Sequence, residues 1–162
     1  MNKRDVYEEL ARRGLWHEIT EHPAVWNMEE ASTLSLPYPE ADAKNLFVRD
    51  DKRRNYYLIT VKGGKRVDLK AIRRDQQTRP LSFASADELG DILGLIPGAV
   101  TPLGLLNDGE RRVTLLLDRA FLDAPGLIGV HPNDNTATVW LRTKDLIRLA
   151  EDHGNPVRLA EL

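Results

Sequence analysis

Between Leu95 and Asp108 the chain reads Leu-Ile-Pro-Gly-Ala-Val-Thr-Pro-Leu-Gly-Leu-Leu-Asn-Asp. Pro97, Gly98, Pro102 and Gly104 rule out a continuous helix there. The residues between them are too apolar for a solvated loop, so the fold must bury one. Such a loop is either a tight apolar connection between a helix and a strand, or a backbone surface presented to a ligand. Gly98 and Ala99 carry little side chain, so a bound group can come close to their N–H groups. Pro102 has no N–H and a fixed φ, which stiffens the far end.

A chain of 162 residues, 41% hydrophobic, suits one domain spanning 1–162 with a real core. It has no cysteine, which excludes disulfides and thiolate chemistry and leaves a zinc site only His and carboxylates. His17, His22, His131 and His153 show no helical ligand spacing. No apolar run is long enough to span a membrane, and the charged N-terminus does not resemble a signal peptide. A cytoplasmic protein without a membrane partner is expected. The net charge of −2 hides a segment, Lys52 to Arg79, with ten basic residues against Asp68 and Asp75. That segment is either a phosphate-binding surface or an ordinary solvated helix and hairpin.

Periodicity predicts an α+β fold: a mixed, largely antiparallel, curled sheet of about seven strands with four or five helices. Asn2 caps a helix to about Arg13, and Trp16–Glu21 alternates as a strand. Asn27 and Glu30 resemble a capping box for a short helix to about Leu34, followed by an extended Leu36–Pro39 linker. Residues 43–50 and 56–61 form a hairpin. Asp68 caps a basic helix to about Arg74, and Ser85 with Glu88 opens another that Gly94 closes. Arg112–Asp118 is apolar enough for a strand buried on both faces. Strands at 127–131 and 136–141 flank a turn, Thr143 caps the last helix, and 157–159 supplies a short final strand.

Few residues invite chemistry. No Gly-x-Ser-x-Gly, Walker loop or dinucleotide fingerprint occurs. His131 ends an apolar strand, where it is either a satisfied rim histidine or a site residue. Lys44 lies early in a mostly apolar strand, where it either snorkels to solvent or meets a phosphate as a point charge. Asn45 beside it can read a hydroxyl or an amide.

Taken together, Ala43-Lys44-Asn45-Leu-Phe-Val-Arg-Asp50, Tyr56–Leu58, Lys65–Lys70, Leu81–Ala84, Leu93–Asp108 and His131-Pro132-x-x-Asn135-x-x-Thr138 stand in a register that resembles the free-standing prolyl-tRNA editing proteins. These belong to the YbaK/prolyl-tRNA-synthetase insertion-domain superfamily. The resemblance runs from about residue 20 to 153. It implies a YbaK-like sheet curled around a helix. It also implies a trans-acting deacylase, needing neither metal nor cofactor, that cleaves a wrong amino acid, above all alanine, from proline tRNA. The partner implied is the acceptor end of that tRNA, with prolyl-tRNA synthetase as a further partner and no DNA.

Residue by residue, the Gly-x-x-x-Pro motif falls on Gly98–Pro102. The resemblance makes Lys44, Gly98, Ala99 and His131 catalytic, and Asn45, Thr101 and Pro102 substrate-binding. Arg73, Arg74 and Arg79 would meet the tRNA. Backbone N–H groups at Gly98 and Ala99 would stabilise the oxyanion, with the ribose 2′-hydroxyl helping to activate water. Position 99 is alanine, where the resemblance leads to an expectation of serine. A non-catalytic tRNA-binding or regulatory protein on the same fold is the alternative.

Overall fold

A computed structural model describes residues 1–27, 29–30 and 33–162. Helix α1 (Lys3–Arg12) starts at a reciprocal box between Asn2 and Asp5 and buries Val6 and Leu10. Strand β1 (His17–Glu21) follows. Asn27 accepts the Glu30 N–H at 2.8 Å, but Glu30 takes the Trp26 N–H rather than that of Asn27, so the expected box is offset by one residue. The helix expected to run on to Leu34 lies partly outside the described residues. Pro39 does not simply prolong the linker: it opens a 3-10 turn, Pro39–Ala41.

Strands β2 (Ala43–Asp50) and β3 (Tyr56–Lys62) pair antiparallel. Helix α2 (Leu69–Gln76) is capped by Asp68, which accepts the Lys70 and Ala71 N–H groups. After β4 (Leu81–Phe83), α3 (Ala86–Leu93) carries the expected Ser85–Glu88 box and stops at left-handed Gly94. The apolar loop holds a turn the sequence did not reveal, a 3-10 helix over Pro102–Asn107 capped by the Thr101 hydroxyl. Then come β5 (Val113–Asp118), β6 (Leu127–Val130), β7 (Ala137–Arg142), α4 (Thr143–His153) and β8 (Val157–Ala160). Thr143 does not cap α4 as expected. It is the first helical residue, buried, and its hydroxyl donates to the Phe121 carbonyl at 2.7 Å.

The described strands form two sheets rather than one. Five strands run β4-β2-β3-β5-β8, with β3–β5 and β5–β8 parallel, and three antiparallel strands run β1-β7-β6. Outside these ladders, a parallel bridge between Asp42 and Gly129 ties the two sheets together. Aromatic bulk fills the seam beside it. The Trp140 ring lies so close over Gly129 that a β-carbon there would sit 2.2 Å from it. Tyr38 meets the same ring edge-on at 5.5 Å.

Alternation along the central strands builds two cores. Tyr56 and Leu58 of β3, with Val113, Leu115 and Leu117 of β5, pack toward the three-stranded sheet, α1, α3 and α4. Tyr57, Ile59, Val61 and Leu116 point the other way, under Ile72 of α2. Burial on both faces explains the near-continuous apolar run of β5, which has parallel partners on each side.

Candidate active site

Where the two sheets part, a cavity of about 320 Å³ opens, within the range of small-ligand sites. The start of β2 supplies Asp42, Ala43, Lys44, Asn45 and Leu46. Beyond the seam, Gly129, Val130, His131 and Thr138 line it, and Gly98 and Val100 of the apolar loop close another side. The remaining wall is the segment from His22 to Asn27 with Leu34 and Leu36.

Polar residues of the 131–138 turn pin that wall. Buried Asn135 donates to the Val25 carbonyl at 3.0 Å. The Thr138 hydroxyl lies 2.9 Å from His22 Nε2, while His22 Nδ1 lies 2.9 Å from the Pro23 carbonyl. A carbonyl only accepts, so Nδ1 carries the proton, and in the neutral ring Thr138 donates to Nε2. His131 Nδ1 likewise donates to the Ala137 carbonyl at 2.9 Å, and Nε2, which can then accept, has no hydrogen-bond partner among the described residues. Burial is the main cause that lowers its pKa, and His22, whose ring lies 6.1 Å away, adds to it. Against these, the Ala137 hydrogen bond and Asp134 pull upward. At neutral pH His131 is an uncharged acceptor.

Gly98 is the position that needs glycine. Its φ is +89°, and an added β-carbon would sit 2.5 Å from the Trp26 ring. Residues 96–99 form a tight turn in which the Ala99 N–H donates to the Ile96 carbonyl at 3.1 Å. That bond corrects the expectation for Ala99: its N–H is spent on the turn, and the residue is buried and does not line the cavity. The Gly98 and Val100 N–H groups have no acceptor among the described residues, so Val100 takes over as the second candidate donor.

Four expected site residues therefore meet in one cavity: Lys44, Asn45, Gly98 and His131. Asn45 Oδ1 accepts from the Thr60 hydroxyl at 2.7 Å, which fixes its amide. Thr101 and Pro102 do not line the cavity. Thr101 is fully buried and donates to the His131 carbonyl at 2.6 Å, so it positions the histidine rather than touching a ligand. Pro102 starts the 3-10 helix and is buried as well.

Arg73 and Arg74 stand exposed on α2, which covers the other face of the five-stranded sheet. Arg79 is clamped on Asp51 by two bonds of 2.6 and 3.0 Å. This pair sits at the far end of β2 from Lys44, roughly 20 Å away at the rise of a strand. None of the three arginines lines the cavity. Among the described residues, no three His, Asp or Glu side chains cluster as metal ligands.

Sequence reasoning missed Trp26, His22 and Asp42. His22 was weighed only for helical ligand spacing with the other histidines, which it lacks. Asp42 carried one unread signal, a carboxylate two residues before a strand lysine, which places both on the same side of extended chain. Burial pushes its carboxyl up to about 6, against the opposing pull of the Ala43 N–H and of His22.

A family model for the aminoacyl-tRNA editing domain matches residues 22–149. The prolyl-tRNA editing protein ProX of Acetoanaerobium sticklandii is 35% identical over 160 residues, covering 99% of this chain and 97% of that protein. Prolyl-tRNA synthetase associated domain-containing protein 1 of Bos taurus is 30% identical, over 91% of this chain and 88% of its own length. A crystal structure described as a candidate trans-editing enzyme for prolyl tRNA synthetase superposes with a TM-score of 0.73 at 25% identity, covering 99% of this chain and 95% of that one. The chain belongs to the aminoacyl-tRNA editing domain family.

Proposed function

We propose that this protein is a trans-acting deacylase that hydrolyses the ester of alanine mischarged onto proline tRNA. The observation that carries the reading is the convergence of Lys44, Asn45, Gly98 and His131 on one cavity at the seam. The names of the relatives supply the tRNA.

Ester hydrolysis moves negative charge onto the carbonyl oxygen as water attacks. The N–H groups of Gly98 and Val100, without an acceptor among the described residues, would receive that charge, with the turn at 96–99 holding them in place. Lys44, without an ion-pair partner among the described residues, holds the terminal phosphate or ribose as a point charge. The Nε2 atom of His131 accepts a hydrogen bond from a ribose hydroxyl or the attacking water, and Thr101 fixes the backbone that carries it. No strong base is required if the substrate's own 2′-hydroxyl helps to activate the water.

Val25, Leu34, Leu36, Val100 and Val130 give the cavity an apolar wall suited to a short side chain. Discrimination by one methyl or hydroxyl amounts to about 1–3 kcal/mol in such a pocket. The acceptor stem runs along β2 from Lys44 toward the basic residues around Arg79, and association with prolyl-tRNA synthetase belongs to the same reading. Deacylation assays on proline tRNA charged separately with alanine, serine, cysteine and proline test it. Alanine release is expected to be fastest; hydrolysis of none of the four leaves a binding protein.

A further inference from the structure

We infer that Asp42 is the counter-ion for the α-ammonium group of the bound aminoacyl ester, an assignment that rests on the deacylase reading and adds a specificity residue to it. An aminoacyl-adenosine end is bipolar. It carries phosphate on one side of the scissile ester and a free ammonium group on the other. The cavity is bipolar as well, with Lys44 and Asp42 two residues apart on the same side of extended chain. A phosphate held by Lys44 leaves the opposite charge to be met, and among the described residues Asp42 is the cavity's carboxylate.

Its neighbours leave it open for that role. Three other aspartates buried in this fold are fully engaged. Asp50 accepts from Arg54 and Asn55, Asp108 from Val113 and Asn155, and Asp118 from Lys62 and Ala120 while pairing with Lys65 at 2.8 Å. The Asp42 carboxylate receives the Ala43 N–H and makes no ion pair among the described residues; His22 is near enough to pull its pKa down, but both of its ring nitrogens are bonded elsewhere. Its backbone, in contrast, is fixed. The carbonyl accepts the Gly63 N–H at 2.9 Å, and the residue bridges to Gly129. A rigid backbone aiming a half-buried, unpaired carboxylate into a cavity is a preorganised cation site. Burial leaves the ionised form costly in the empty cavity, and an ammonium group offsets that cost.

Two esters of proline tRNA test the assignment: alanyl, and lactyl, in which a hydroxyl replaces the ammonium group at nearly the same size. The ratio of their kcat/KM values is read within each protein preparation, so any loss of folded protein cancels. Asp42→Asn is expected to lower the alanyl-to-lactyl ratio by about 10–100-fold, the worth of a charge-assisted hydrogen bond. Asp42→Glu, which keeps the charge, is expected to recover part of it, and Asp42→Ser to repeat the loss with a smaller side chain. A ratio unchanged in both Asp42→Asn and Asp42→Ser overturns the assignment while leaving the deacylase standing. A parent protein that hydrolyses neither ester overturns the deacylase reading, and this assignment with it.

Discussion

Two half-buried carboxylates, Glu88 and Asp42, were handled by this fold in opposite ways. Glu88, at the start of α3, accepts from the Tyr56 hydroxyl at 2.6 Å, the Ser85 N–H at 3.0 Å and Arg49 Nε at 3.2 Å. Burial works against its charge, but those donors outweigh it and hold its carboxyl down to about 2. Around it Phe47 stacks on Tyr56, and Arg112 lies 4.8 Å over the Tyr56 ring. Asp42 is more deeply desolvated and has one backbone donor, and burial pushes its carboxyl up to about 6. Near Glu88 each polar group has found a protein partner. At the seam a lysine, two N–H groups and an imidazole nitrogen have none among the described residues, and the Asp42 carboxylate has only the Ala43 N–H. Unspent polar capacity marks the place where a ligand belongs.

The sharpest test of that division is Lys44→Ala. If the seam serves a ligand rather than the fold, kcat/KM for deacylation falls by about 10²-fold or more, while the melting temperature stays within the small range of a surface substitution. Melts and rates on the same preparations decide it. A parallel loss of both would make Lys44 part of the scaffold.

Gly98→Ala is designed to break the division, because Gly98 belongs to both sides. The new methyl group meets the Trp26 ring, and φ of +89° is a strained conformation for alanine. Stability is expected to drop by about 1–3 kcal/mol, and activity to fall by more than the unfolded fraction explains, since the Gly98 N–H moves with the turn. Urea titration beside initial rates at full folding separates the two losses. A variant of parental stability and rate would mean that the turn yields freely, and that the loop lacks the rigidity an oxyanion site needs.

Glu88→Gln keeps the shape and removes the charge. Tyr56 and Arg49 then lose their anionic partner, with an expected cost on the order of 1–3 kcal/mol at pH 7. Deacylation, measured where both proteins are folded, stays unchanged. The pH dependence has a definite sign. A depressed carboxyl contributes stability that is fully present above its unfolded value near 4.3 and is lost as pH falls toward about 2. The parent therefore loses stability across that window, and the variant loses less. Acid titrations of both, followed by circular dichroism, check this.

Much of the Glu88 region could be read from the sequence, and little of the seam could. Ser85 and Glu88 three residues apart announce a capping box, because one turn of helix brings those positions together. The strands around them follow from alternation and β-branched runs. Local spacing of that kind is missing at the seam. Asn135 reaches Val25, Thr101 reaches His131 and Asp42 bridges to Gly129, contacts set by how one sheet lies on the other. Lys44, Gly98 and His131 stood out by local chemistry, but only the resemblance to a motif order favoured a site role for them over a structural one. Ala99 was misassigned because a motif places residues along the chain and is silent about which N–H a turn consumes. Thr143 was misread for a related reason: a cap-type residue at a helix start can turn its hydroxyl inward, here to Phe121.

The smallest expected effect sharpens the comparison most. Asp42 should carry the opposite pH signature to Glu88. Its carboxyl is raised, so the folded protein holds that proton more tightly than the unfolded chain. Stability therefore falls as pH climbs from the unfolded value near 3.9 through about 6, and the cost of the buried charge stays in force above that. Asp42→Asn removes the cost. The variant should be more stable than the parent at pH 7.5 by on the order of 1 kcal/mol, a figure trimmed because solvent reaches the cavity mouth. At pH 4 most of the gain should be gone, since the folded parent then carries a neutral group, as the variant does. Thermal melts of both proteins at the two pH values measure the difference. A stabilised variant with impaired discrimination between the alanyl and lactyl esters is what a ligand-binding carboxylate predicts, because such a residue gives up stability for recognition. A variant destabilised at both pH values would instead place Asp42 with Glu88, among the acids that hold the fold together.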